Sequence, residues 1–110
     1  MKFPRIYNGY ILEYEVPENY EELIKNIDEK FIKVTENLAK KVLEEFGGYK
    51  YPSFQWDKKR GLHSIVIGNG RGAYLNDNRR WVFKNIDYEN QALAVFNIIS
   101  TYFNKLQQTK

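Results

Sequence analysis

The chain has 110 residues, 43% hydrophobic and 28% charged, which is enough for one globular domain with its own core. It contains no cysteine, so disulfides, thiolate metal sites and cysteine nucleophiles are excluded. Its net charge of +3 is unevenly spread: residues 18–46 carry five lysines against eight acids, and residues 47–84 carry eight bases against two acids.

Residues 3–16 are expected to form a β-hairpin. Asn8-Gly9 is a strong type I′ turn signal. Tyr10, Leu12, Tyr14 and Val16 alternate with Ile11, Glu13 and Glu15, which gives one apolar face. Pro4 lacks an amide donor and places the first strand at an edge.

A long amphipathic helix is predicted from Glu18 to Phe46, with Asn19 and Glu22 as a capping-box pair and Gly47-Gly48 as its stop. Tyr20, Ile24, Ile27, Phe31, Val34, Leu38 and Val42 recur at spacings of three and four, forming one stripe. Glu21–Lys25, Glu29–Lys33 and Glu36–Lys40 are spaced for i,i+4 pairing. At about 1.5 Å per residue the helix would reach roughly 40 Å, so it must bend near Asn26–Asp28 or overhang its sheet.

A meander follows. Strands are predicted at 50–56, 62–67, 73–75 and 80–84, with turns at Asp57–Gly61, Gly68–Gly72 and Asn76–Arg79. A last helix is predicted over 88–106, N-capped by Asp87, with Ala92, Val95, Phe96, Ile99, Tyr102, Phe103 and Leu106 as its main face. Residues 90–104 contain no charged side chain, so this helix is either central or pressed against a partner. The expected architecture is a single α+β domain over 1–110, in the order ββαββββα. An antiparallel sheet is built from the N-terminal hairpin and the C-terminal meander, and both helices cover one face.

The basic segment is the most informative chemical feature. Alternate turns of a meander fall at one end of the sheet. That should gather Lys58, Lys59, Arg60, Arg79 and Arg80 beside Trp56 and Trp81. Cations neutralise phosphates and indoles stack on bases, so these residues, with Arg71 in the glycine-rich turn, are the candidate nucleic-acid contacts. The leading expectation is a small non-enzymatic binding module for nucleic acid. The alternative is a homodimeric protein-interaction or regulatory module of viral or mobile-element type, working through its helices on a partner protein.

Other chemistry is weaker. Gly68-Asn69-Gly70-Arg71-Gly72 leads into a strand rather than a helix, unlike a phosphate-binding loop. His63 is the only histidine and is read as a packed residue on the same face as Ile65 and Ile67. Glu13, Glu15 and Asp57 would have to converge to hold a metal, as a hydrolase reading requires. No cofactor is indicated. The helix–three strands–helix order from residue 18, with Gly61-Leu62-His63, loosely resembles double-stranded-RNA-binding domains. Asp87-Tyr88-Glu89-Asn90 is acidic where that family carries a lysine pair, so membership is not assigned. Met1–Arg5 lacks the apolar core of a leader, and no uncharged apolar run is long enough to span a bilayer. A cytoplasmic protein with no membrane partner is therefore expected.

Overall fold

The computed structural model describes residues 11–46, 52–68, 70–86 and 88–108. Strand β1 (Ile11–Glu15) is followed by a short helix α1 (Tyr20–Leu23), a 3₁₀ turn (Ile24–Asn26) and helix α2 (Glu29–Glu45). The meander β2 (Ser53–Asp57), β3 (Gly61–Gly68), β4 (Arg71–Leu75) and β5 (Arg80–Lys84) leads into helix α3 (Glu89–Gln107). All strand pairs are antiparallel, in the order β1-β5-β4-β3-β2, so the mixed α+β class holds. Of the expected N-terminal hairpin only the arm β1 is described. The Asn8-Gly9 turn, Gly47-Gly48, Asn69 and Asp87 lie outside the described residues.

The predicted long helix is interrupted at Ile27–Asp28, so of the two expected outcomes it is the bend that occurs and not the overhang. Ile27 is extended (φ −76°, ψ 120°), as is Asp28, and the Asp28 carboxylate accepts a hydrogen bond from Phe31 N at 2.8 Å. Asp28 thus restarts the chain as a new N-cap, satisfying an amide that the second helix would otherwise leave unpaired. Asn19 makes no side-chain cap bond, which corrects the capping-box expectation. The interruption also resets the helical phase. On α2 the buried positions are Phe31, Thr35, Ala39 and Leu43, whereas Val34, assigned to the apolar stripe, is 38% exposed.

One sheet face is apolar across four strands. Phe54 pairs with Ile65, Ile65 with Ala73, and Ala73 with Phe83; Trp56–Leu62 and Leu75–Trp81 form the next row. All of these are in the core or packed against it. The pairing jumps from Gln55–Ser64 to Trp56–Leu62, so His63 is the extra residue of a β-bulge. That bulge turns Leu62 onto the core face and removes His63 from strict alternation with Ile65 and Ile67. Further along β3, opposite Val66, Gly72 is required, because a Cβ there would lie 2.9 Å from the carbonyl carbon of Ile65.

Helix α3 packs against both α2 and β3. Ala92, Val95, Ile99 and Leu106 are buried on its main face, and Ala94 and Ile98 are buried on a second side. Its lack of charge is thereby accounted for within one chain. The bend at Ile27–Asp28 likewise accounts for the length that, as an unbroken helix, suggested self-association. Tyr88 occupies the N-cap, with its amide donating to Gln91 Oε1 at 3.3 Å. Among the described residues no helix is long and apolar enough to cross a membrane.

The rotated face of α2 gives a direct test. Phe31→Ala, removing a buried ring, is expected to cost about 3–5 kcal/mol. Val34→Ala should stay within about 0.5 kcal/mol, as for an ordinary surface position. Urea denaturation of both variants checks the difference; equal losses would restore the unbroken stripe.

Candidate functional site

The β2–β3 turn and the β4–β5 turn lie at the same end of the sheet. With α1 and the 3₁₀ turn they enclose an open cleft of about 740 Å³. Lys58, Lys59 and Arg60 come from the first turn, Arg79 from the second, and Lys25 from the helical wall. Glu21, Asp57 and Asp77 also line it, so five bases face three acids and the cleft carries a net formal charge of +2.

Each turn is built around one side chain. In the first, Asp57 Oδ1 accepts from Lys59 N at 3.1 Å and Arg60 N at 2.6 Å. Its other oxygen accepts from Arg60 Nε at 2.9 Å and pairs with the terminal guanidinium nitrogen at 2.8 Å. Partial burial acts to raise the Asp57 carboxyl, but the Arg60 hydrogen bonds and the charges of Arg60 and His63 outweigh it and hold the group below the usual carboxylate range. His63 Nε2 lies 3.6 Å from the same carboxylate. Burial and the Arg60 charge push its pKa down, against the opposing pull of Asp57. In the second turn Asn76 Oδ1 accepts from Asn78 N at 2.9 Å and Arg80 N at 3.0 Å, and Arg79 N donates to Asn76 O at 3.1 Å. Arg79 takes a left-handed backbone (φ 63°), and its guanidinium forms an ion pair with Glu21 on α1.

Beneath the cleft, reached through Tyr20, runs a chain of hydroxyls. Leu62 N donates to the Tyr102 hydroxyl at 3.3 Å, the Tyr20 and Tyr102 hydroxyls are 2.6 Å apart, and the Tyr20 hydroxyl donates to Arg60 O. Because Tyr20 spends its single proton on Arg60 O, Tyr102 must be the donor in the pair. These hydroxyls close over Gly61, whose φ is 72°; a Cβ there would fall 2.9 Å from the Tyr20 oxygen and overlap that of Tyr102. Burial pushes the Tyr102 phenol up to about 12, and burial together with Tyr102 raises Tyr20 well above the ordinary tyrosine value.

The sequence-predicted site residues divide. Lys58, Lys59, Arg60 and Arg79 are brought together. Arg80 is exposed at the start of β5, where its backbone pairs with Glu15 of β1, and it does not line the cleft. Arg71 begins β4 at the opposite end of the sheet. Trp81 is 0% exposed within the core, so the expectation that it stacks on bases is corrected: its strand neighbours place it on the helix-covered face. Trp56 is half-buried, donates from Nε1 to Glu36 Oε2 at 3.0 Å, and packs edge-on against Phe31 and Tyr102. Neither indole lines this cleft. Glu36 and Glu21 thus bond across elements to Trp56 and Arg79. Lys25, Glu21 and the tyrosine pair were missed as site residues. The available signal was two tyrosines within otherwise apolar helical stripes.

Strand β2, which carries Asp57, and strand β1 are opposite edges of the sheet, four strand spacings or about 19 Å apart. Among the described residues no group of three His, Cys, Asp or Glu side chains could hold a metal ion. No protein-family model, no curated protein and no solved structure matches this chain.

The phenol pair makes stability fall at alkaline pH. Above about pH 10 unfolded tyrosines lose protons that Tyr102 keeps until about 12 and Tyr20 beyond that, so the unfolded state is favoured as pH rises. The melting temperature should be insensitive to these groups below pH 10 and fall steadily between pH 10 and 12. Tyr102→Phe, which removes the hydroxyl bonded to both Leu62 N and the Tyr20 hydroxyl, should cost about 1–3 kcal/mol at pH 7. Thermal scans across that range check both, and a flat profile to pH 12 would contradict the hydroxyl chain.

Proposed function

We propose that this chain is a non-enzymatic binding module that holds nucleic acid by its phosphates at the basic end of its sheet. The observation supporting the reading is the convergence of Lys25, Lys58, Lys59, Arg60 and Arg79 on one cleft. Lys58 and Lys59 are exposed on a turn tip and make no ion pair among the described residues, so their charges are available to a ligand. Arg60 is held by Asp57 and shapes the turn as well as charging it. Arg71, at the opposite end of the sheet, and Arg80, which adjoins the cleft without lining it, are left out of the primary contact set.

Phosphate contacts fix position and carry no sequence information by themselves. Trp81 is in the core and Trp56 lies in an adjoining pocket beside Lys25 and Lys58, so base stacking is at most a secondary contribution. The affinity is accordingly electrostatic and tolerant of sequence, within the range of about 10⁻⁴–10⁻⁶ M typical of such binding at physiological salt.

Fluorescence anisotropy with a labelled single-stranded oligonucleotide of about 20 residues, read at about 50 and 200 mM salt, tests this. Binding should weaken steeply with salt. Lys58→Gln with Lys59→Gln should lower affinity for every sequence alike, and each phosphate contact removed should flatten the salt slope by about 0.7. Binding indifferent to salt, or unchanged in the double variant, rules the reading out.

A further inference from the structure

The Arg79–Glu21 ion pair crosses the cleft from the β4–β5 turn to α1. We infer that Glu21 is a displaceable stand-in for phosphate: it occupies the Arg79 guanidinium in the free protein and gives way to a phosphodiester oxygen when single-stranded nucleic acid enters the cleft. This rests on the nucleic-acid reading above and assigns its regulation to one carboxylate.

Three observations carry it. First, Arg79 is held at the site by its backbone. It sits in a left-handed conformation inside a turn closed by Asn76, with Asn76 N donating to Arg80 O at 2.9 Å and Arg79 N to Asn76 O at 3.1 Å. Its Cα therefore stays at the rim of the cleft whether or not Glu21 is bound, and the side chain is left to exchange one oxygen partner for another. Secondly, the pair is in water: the arginine side chain is 48% exposed and the glutamate 69%. Exposed pairs of this kind change an equilibrium constant by only about two- to fivefold, so a ligand can break it readily. Thirdly, the two acid–arginine pairs of the cleft differ in what depends on them. Asp57 binds two backbone amides as well as Arg60, and losing it would dismantle its turn. Among the described residues Glu21 makes no bond except that to Arg79. A phosphodiester presents the same fork of oxygens as a carboxylate, and arginine binds either in the same two-pronged way.

The measurement is the same oligonucleotide titration on five proteins: wild type, Glu21→Gln, Asp77→Asn, Arg79→Gln, and Glu21→Gln combined with Arg79→Gln. Asp77→Asn removes a like charge from the cleft without touching the Arg79 ion pair, and so reports general electrostatics. Glu21→Gln should bind about two- to fivefold tighter than wild type and exceed Asp77→Asn. Its salt slope should steepen by up to about 0.7, because the arginine is no longer neutralised beforehand. In the Arg79→Gln background the Glu21→Gln change should give no gain, as a coupled pair requires. If wild type fails to bind, or binds without salt dependence, the nucleic-acid reading itself falls. Wild-type binding combined with a Glu21→Gln protein that is unchanged, weaker, or matched by Asp77→Asn overturns the displacement while leaving the reading in place. A gain that persists without Arg79 overturns it equally.

Discussion

The run of hydrogen bonds from the Leu62 amide through Tyr102 and Tyr20 to the Arg60 carbonyl is the constraint on which the site depends. It joins α3, α1 and the β2–β3 turn at one point. Each hydroxyl donates once and accepts once, so the chain is directional, and in a buried setting such bonds strengthen one another. Tyr102 is also the centre of an aromatic cluster with Phe31, Trp56 and Phe103, which fixes its ring before its hydroxyl is used. The position of a surface turn is thereby referred directly to the core. Gly61 makes this geometry accessible, because only a residue without a side chain fits under two phenol oxygens in a left-handed conformation.

Around this anchor the cleft separates charges by task. Asp57 and Asn76 organise the backbones of the two turns. Arg60 and Arg79 are matched to acids, whereas the lysines stand out into solvent. The result is a small excess of positive charge on fixed walls, suited to contact with a polyanion and too modest for strong long-range steering. The two tryptophans serve the interior: Trp81 fills the core opposite Leu75, and Trp56 bridges β2 to α2 through Glu36.

The interruption at Ile27–Asp28 shapes the site as much as the turns do. An unbroken helix would carry Glu21 and Lys25 along the axis of α2. The extended residue at 27 lets α1 sit over the end of the sheet, where Tyr20 reaches Arg60 O and Glu21 reaches Arg79. The same interruption turns Thr35 inward and Val34 outward on α2.

Much of the fold was legible in local patterns. Alternation and turn residues gave the four strands of the meander, and three-four periodicity gave the helical regions, because both reflect burial of one face by a regular backbone. The length of the first helical stretch called for either a bend near Asn26–Asp28 or an overhang, and packing over the sheet end decided for the bend. The meander rule placed Lys58, Lys59, Arg60 and Arg79 at one end, since alternate turns of antiparallel strands must return there. The sequence could not say which side of the sheet each tryptophan faces or that His63 is a bulge, because one extra residue reverses everything after it along the strand. Nor could it reveal that Tyr20 and Tyr102, 82 positions apart, share a proton chain, or that Glu21 answers Arg79 instead of Lys25. Those partnerships arise from how α1 and α3 pack over the sheet end. Periodicity assigns a residue to a face; only tertiary packing decides what that face meets.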